Sequence, residues 1–254
     1  MSRRRGRFAA ASVDGERWKV GGYQPLAPRL PPQAALVVRG AMPAAEAETL
    51  ARRVLEVEER WTADFAGEQF SLGRAFYTHL ETHRAREYFA QARASDALVE
   101  EVLPGLPART LELLARLLGG QVRRRAGFCG PGVHVFPAGG NVARRGGVVH
   151  FDLEGLTEHQ KEAGSAAVTL VWMLRPAERG GGLRLWDTLY DGTPDSQLEP
   201  DDYACVTVRS SAGDALLLDS RRLHQIRPFR GASPRLSVTV HAAEIDDDVW
   251  EAWF

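Results

Sequence analysis

The residues of this sequence best suited to chemistry are His150, Asp152 and the distal His224. In a β-strand, residues i and i+2 project from the same face, so His150 and Asp152 can converge on one ion while Phe151 packs away from it. On a helix, residues two apart point to different sides and would not converge. Two imidazoles and one carboxylate can occupy one face of an octahedral metal ion and leave the opposite face open. The tripeptide alone is equally compatible with a structural histidine in a sheet, so its interpretation depends on the residues that follow.

Further motifs follow His150 in a fixed order. They are Gly180-Gly181-Gly182-Leu183, then Gly213-Asp214 before the apolar residues 215–218, then His224, and then Arg235-Leu236-Ser237. Together with the H-x-D tripeptide, this ordered set resembles the Fe(II)/2-oxoglutarate-dependent dioxygenase superfamily. The resemblance covers about residues 130–242.

The resemblance implies a fold, cofactors and binding residues. The fold is a double-stranded β-helix, or jelly roll, in a mainly β protein with flanking helices. The cofactors are Fe(II), held by the two histidines and the aspartate named above, with 2-oxoglutarate and O2 as cosubstrates. Arg235 and Ser237 match the residues that bind the distal carboxylate of 2-oxoglutarate. His134 stands where many members have a tyrosine that helps to bind the cosubstrate, and a role in the core or behind the ligands is an equal alternative.

The resemblance also implies a reaction. The expected function is hydroxylation of an unactivated C–H bond of a small molecule, with release of succinate and CO2. Halogenases of the superfamily carry glycine or alanine at the position of Asp152, so its presence favours hydroxylation over chlorination. Length and motif order resemble the small bacterial amino-acid hydroxylases, which suggests a free amino acid or a related natural-product intermediate. The alternatives are a catalytically silent metal-binding or sensor module and an oxygenase that acts on a peptide, protein or nucleotide.

Residues 235–241 alternate between two chemical classes. Leu236, Val238 and Val240 are apolar, which predicts a strand with one face on neighbouring secondary structure and the other toward the interior. The polar face consists of Arg235, Ser237, Thr239 and His241. An unpaired arginine facing the interior is costly, and a bound dicarboxylate removes that cost. We expect Thr239 and His241 to point toward the substrate.

Three other features are candidates for substrate binding. Glu154 continues the inward parity of His150 and Asp152. Arg74 lies in the aromatic segment 70–79, which is either a surface turn or a lid whose arginine pairs with a substrate carboxylate. Residues 187–203 are acidic and contain no basic residue, which indicates either a solvated loop or a lid that favours an amine.

The elements that must position these residues follow from periodicity. Apolar spacings of three and four predict helices near residues 43–61, 82–102 and 107–118, so residues 36–120 form a mainly helical support. From residue 127 to residue 242, short strands separated by glycine-rich turns predict the jelly-roll core. We expect one domain over residues 1–254, with about residues 1–20 flexible.

Composition narrows the classes of partner. The chain has 254 residues, 44% of them hydrophobic, and a net charge of -1, which argues against nucleic acid as the main partner and favours a small molecule. Two cysteines are too few for a disulfide framework and favour a reducing, cytoplasmic location. The longest apolar run is far shorter than the roughly 20 residues that cross a bilayer, so no membrane association is expected. The sequence leaves the oligomeric state open.

Overall fold

The computed structural model describes residues 8–22, 24–27, 30 and 33–254. The expected flexibility of residues 1–7 lies outside these ranges. Residues 11–20, which belong to the stretch expected to be flexible, form a strand and a short helix. Parallel backbone pairing with residues 36–39 holds this strand at the edge of the main sheet.

Strands dominate the described part of the chain. They are β1 (Ala11–Asp14), β2 (Leu36–Arg39), β3 (Thr62–Asp64), β4 (Gln69–Leu72), β5 (Gln121–Arg124), β6 (Gly132–Phe136), β7 (Ala167–Arg175), β8 (Arg179–Gly180), β9 (Leu183–Leu189), β10 (Cys205–Val208), β11 (Ala215–Asp219), β12 (Arg222–Ile226), β13 (Phe229–Arg230), β14 (Arg235–Asp246) and β15 (Val249–Trp253). The helices are α1 (Gly15–Val20), α2 (Ala44–Leu55), α3 (Phe76–Glu81), α4 (Ala85–Val102), α5 (Leu106–Leu118), α6 (Asn141–Arg145) and α7 (Glu158–Ala163). None of the described helices is long and apolar enough to cross a membrane.

Two of the three predicted helical zones need correction. The first helix ends at Leu55, and residues 58–60 form a separate 3-10 turn. The zone predicted near residues 82–102 begins only at Ala85, because His83 adopts a left-handed conformation with φ 59° and separates α3 from α4. The third helix, α5, matches its prediction and has Pro107 in its first turn, where the missing N–H costs no hydrogen bond.

Two facing sheets position the candidate residues. Within the described residues, ten strands form a mixed sheet in the order β1-β2-β11-β7-β14-β6-β4-β3, with β15 beside β14 and β5 beside β15. A smaller antiparallel sheet has the order β10-β9-β12. Residues 147–152 run along its β12 edge, where Gly147 N–H donates to Ile226 O at 2.9 Å and Asp152 N–H donates to Ser220 O at 2.8 Å.

The large sheet is apolar on the face that carries the helices. Leu236, Val238 and Val240 of β14 share one buried cluster with Leu50 of α2 and Leu114 of α5. Burying each such side chain stabilises the fold by roughly 1.5–3 kcal/mol. The helices therefore pack on the outer face of the sheet, and the polar positions of β14 face the interior.

The interior between the sheets is apolar at one end. Val37 of β2 and Leu216 and Leu218 of β11 pack against Leu183 and Leu185 of β9. Sheets that pack face to face stand about 10 Å apart, which leaves room for one layer of side chains from each. Beyond this apolar contact the inner faces become polar, and the candidate site lies there.

The Gly213-Asp214 motif has a structural role. Gly213 has φ 87°, and a Cβ at this position would lie 2.0 Å from Met42 O, so a side chain does not fit. Asp214 accepts hydrogen bonds from Gly40 N–H at 2.9 Å and from Arg39 Nη1 at 2.6 Å. These contacts fix the start of β11 beside β2.

Candidate metal centre

His150, Asp152 and His224 meet on the interior side of the smaller sheet. Their ligand atoms all lie within 4.8 Å of one another, a separation that one metal ion can span. Asp152 lies between the two imidazoles, with Oδ1 3.4 Å from His150 Nε2 and Oδ2 3.5 Å from His224 Nε2. The three residues can therefore hold one metal ion such as iron, with the open face expected of two imidazoles and a carboxylate.

The backbone fixes both imidazoles. His150 and His224 face each other in an antiparallel bridge and exchange N–H···O bonds of 3.1 and 3.0 Å. Each ring donates its Nδ1–H to the carbonyl two residues before it, Val148 O at 2.9 Å and Arg222 O at 2.8 Å. This contact leaves the Nε2 lone pair of each ring as the metal ligand.

Asp152 is oriented by Thr169 of β7. Thr169 Oγ1 donates to Asp152 Oδ2 at 2.6 Å and lies 3.0 Å from both Ser220 Oγ and His241 Nδ1. Burial would raise the pKa of Asp152, but its interactions with His224, His241 and His150 hold that pKa well below its ordinary range. The carboxylate is thus ionised and fixed in direction, as a metal ligand requires.

A cavity of about 740 Å³ adjoins the candidate metal site and contains an arginine without an acidic partner among the described residues. The cavity is lined by the polar face of β14 and by His150, Asp152 and His224, which we call the metal triad. Arg235 is 5% exposed, lies over the Phe136 ring at 5.2 Å and reaches Ser237 Oγ at 3.5 Å. Burial lowers its pKa to about 10, and it forms no ion pair with any residue that the structure describes. A buried unpaired guanidinium fits a carboxylate ligand, which would satisfy its fork of donors.

Comparison with known proteins gives the fold. No family model and no curated protein matches the chain. Among solved structures, it is similar to the non-heme alpha-ketoglutarate-dependent carbocyclase SnoK from nogalamycin biosynthesis, with a TM-score of 0.58 and 16% identity over 93% of this chain and 88% of that one. The chain has the fold of the Fe(II)/2-oxoglutarate-dependent oxygenases. An N-substituted L-amino acid dioxygenase from Burkholderia ambifaria AMMD is also similar, with a TM-score of 0.51 and 13% identity over 87% of this chain and 86% of that one.

On this oxygenase fold, His134 is buried beside the arginine. It lies on β6 opposite Ser237 in the strand register and is 6% exposed. Its Nδ1 has no hydrogen-bond partner among the described residues, and burial lowers its pKa to about 3, so the ring is neutral. The ring of Tyr77 packs edge-on at 5.7 Å. His134 lines the cavity on the same side as Arg235 and Ser237.

Three of the four candidate substrate residues line the cavity and one does not. Glu154, Thr239 and His241 are on its wall. Arg74 is absent from the wall, and its Nη1 donates to Glu87 Oε1 at 2.8 Å and lies 3.0 Å from His79 Nε2. The structure therefore does not bring Arg74 to the candidate site, and its charge is paired with Glu87 of α4.

The sequence reasoning missed several cavity residues. They are Gln69 of β4, Tyr77 and Glu81 of α3, and Arg145 of α6. Asp195 also lies on the wall, within the acidic segment 187–203 that the sequence offered as a lid. Tyr77 and Glu81 are four residues apart and share a helix face, while Thr78 and His79 are buried on the opposite side. A helical interpretation of the 70–79 segment would have identified this pair.

Proposed function

We propose that the chain is an Fe(II)- and 2-oxoglutarate-dependent oxygenase that hydroxylates an unactivated C–H bond of a small amine-bearing molecule. The observation that carries this proposal is that a metal-binding triad and the buried, unpaired Arg235 share one cavity. Burying a guanidinium without a partner is unfavourable, so its retention argues for a carboxylate ligand. A module that only bound metal would gain nothing from this arginine.

We also infer that the chain is one domain whose residues 127–242 form a jelly-roll core. Two facing sheets with an apolar contact at one end and polar inner faces at the other support this inference. In such a core the ligands come from strands or from segments bonded along a strand edge, as residues 147–152 are along β12, and these hydrogen-bonded backbones hold them in fixed directions.

Each residue of the centre has a defined role in this proposal. His150, Asp152 and His224 would hold the iron, and Arg235 and Ser237 would bind the distal carboxylate of 2-oxoglutarate. When bound, iron and 2-oxoglutarate supply the oxidising chemistry, in which O2 gives one oxygen atom to the substrate and one to succinate, with loss of CO2. Apolar side chains of β7, β9, β11 and β12 line the same cavity and exclude water from it.

The walls of the cavity favour a cationic group on the substrate. Glu81, Glu154 and Asp195 line it, and none of them pairs with an arginine or lysine in the described residues. Burial raises the pKa of Glu81 and of Glu154, which indicates that both sit where an unpaired negative charge is disfavoured. A bound ammonium group would offset this cost.

A carboxylate of the same substrate has a candidate partner in Arg145. It lines the cavity near the mouth, where Val148 is 80% exposed, and it takes the role that the sequence suggested for Arg74. A free amino acid or a similar small zwitterion would satisfy both charges. Thr239 and His241 remain candidates for further polar contacts.

The experiment that tests the function begins without oxygen. Fe(II) and 2-oxoglutarate are added together, and the weak visible charge-transfer band of the chelate is expected, followed by succinate formation when air is admitted. Metal binding without this band and without succinate would favour the catalytically silent module.

The substrate class is tested in a second experiment. A panel of amino acids is compared with their N-acetylated forms, which keep the side chain and lose the ammonium charge, by substrate-stimulated succinate release. The free amines should stimulate release, and Glu81→Gln should raise their KM about tenfold if one buried pair contributes about 1.4 kcal/mol. Stimulation by a peptide or nucleotide, with none by any amino acid, would contradict the substrate class.

A further inference from the structure

A second cavity lies on the other side of Arg235. It measures about 480 Å³ and is bounded by the turn between β7 and β8 and by the loop between β10 and β11. Its wall includes Arg179, Arg209 and Ser210 as well as Arg235 itself. We call it the rear cavity, in contrast to the front cavity that contains the metal triad.

The two cavities share a thin partition. Val171, Leu183 and Arg235 line both of them, so these three residues form the wall between the two spaces. Leu183 and Val171 make no hydrogen bond through their side chains and can change rotamer without breaking one. Such rotamer changes take place in picoseconds to nanoseconds at exposed positions and are slower in packed ones.

The charge of the rear cavity suits an anion. Arg179 and Arg209 are exposed, and neither forms an ion pair with another described residue. The acidic residue on the wall, Glu178, is already engaged, because its carboxylate accepts Ala232 N–H at 2.8 Å and Ser233 N–H at 3.2 Å. Arginines at the opening attract dicarboxylates from solution, and the buried guanidinium lies at the inner end.

We propose that the rear cavity is the passage by which 2-oxoglutarate reaches Arg235 and succinate leaves it, separate from the front cavity that takes the substrate. This inference rests on the proposed function. Apart from Arg235, the described wall of the front cavity carries the carboxylates of Glu81, Glu154 and Asp195 against the single arginine Arg145, so its charge opposes the entry of a dicarboxylate. Through the rear cavity a dicarboxylate meets Arg179 and Arg209 at the opening and Arg235 at the inner end.

A passage has a kinetic signature that differs from that of a binding site. Obstructing a passage slows association and dissociation by the same factor and leaves the dissociation constant unchanged. Damaging a binding site changes the dissociation constant instead. The test is anaerobic stopped-flow absorbance of the Fe(II) protein mixed with 2-oxoglutarate, with displacement by excess succinate for the dissociation rate.

Ser210→Trp fills the rear cavity, and Ala232→Trp is the matched control on a neighbouring exposed loop that lines neither cavity. Both rate constants should fall about tenfold or more in Ser210→Trp and remain unchanged in Ala232→Trp. Unchanged rates in Ser210→Trp would overturn the passage. A changed dissociation constant with one altered rate would also overturn it, because the rear cavity would then be part of the binding site.

A second variant does not depend on tolerance of a large side chain. Arg179→Gln combined with Arg209→Gln alters exposed residues and should slow both rates severalfold at low salt, with a weaker salt dependence than the parent protein. Rates and salt dependence equal to those of the parent would contradict the passage. If the parent protein shows no chelate band at all, the proposed function fails, and this outcome is distinct from a failure of the passage.

Discussion

Replacement of Arg235 by glutamine should have opposite effects on ligand binding and on stability. The guanidinium is 5% exposed and unpaired among the described residues, and burial lowers its pKa to about 10. Because the folded pKa lies below the unfolded one, the cost of burying the charge is present in full below about pH 10. At 1.36 kcal/mol per pH unit it amounts to as much as about 3 kcal/mol at neutral pH. Arg235→Gln should therefore raise the free energy of unfolding of the ligand-free protein. The loss of packing against Phe136 makes this increase smaller.

The same substitution should weaken 2-oxoglutarate binding. Truncating one partner of a buried, hydrogen-bonded charge pair costs about 2–5 kcal/mol. Since about 1.4 kcal/mol corresponds to a tenfold change, the dissociation constant should rise by roughly 30-fold to several thousandfold. Arg235→Lys keeps the charge but loses the two parallel hydrogen bonds, so its dissociation constant should fall between those of Arg235→Gln and the parent protein.

Two measurements on one preparation check this reasoning. Urea unfolding without ligand gives the stability, and anaerobic titration of the Fe(II) protein with 2-oxoglutarate gives the dissociation constant. Arg175→Gln is the charge-matched control, because Arg175 pairs with Glu48 at the surface and lines neither cavity. Unchanged 2-oxoglutarate binding in Arg235→Gln, or a loss of stability as large as that of a core truncation, would refute the argument.

Four further predictions follow from the site and the core. His224→Ala should lose Fe(II) binding and turnover while keeping the fold, whereas His159→Ala on exposed α7 should keep all three, as measured by metal titration and circular dichroism. Thr169→Val removes the hydroxyl that orients Asp152 and should weaken Fe(II) binding about 10- to 100-fold, and unaltered affinity would show that this hydrogen bond does not position the ligand. Leu170→Ala, at a fully buried position between the sheet and the helices, should lower the free energy of unfolding by about 2–5 kcal/mol in urea. With chloride present, mass spectrometry of the product should show oxygen gained and no chlorine, since Asp152 would occupy the coordination position that chloride needs, and a chlorinated product would contradict this.

Alternation along one strand was the most informative local signal in the sequence. In β14 the apolar residues pack under the helices and the polar ones line the front cavity. Successive side chains of a strand point to opposite faces, so one residue known to point inward fixes the direction of all the others. Glu154 also lies on the cavity wall with His150 and Asp152, although it stands in a turn to which strand parity does not extend.

Predictions that depended on tertiary pairing were less accurate. Arg74 was a free arginine in the sequence, and only the packing of α3 against α4 gives it Glu87 as a partner. Strands β5 and β15 pair with each other in parallel, and their short sequences show no clear alternation. Tyr77 and Glu81 were missed because a helix of six residues is too short to show its periodicity.

The bridge between His150 and His224 has a consequence for assembly of the protein. The two imidazole ligands are far apart in the chain and become neighbours only when residues 147–152 align with β12. Closing so long a loop is slow and entropically costly, so this contact is expected among the later events of folding. A metal ion that binds both rings binds only to chains in which this alignment is complete. By mass action, such binding lowers the population of partly opened forms. Iron would therefore bind only to chains in which residues 147–152 have already aligned with β12.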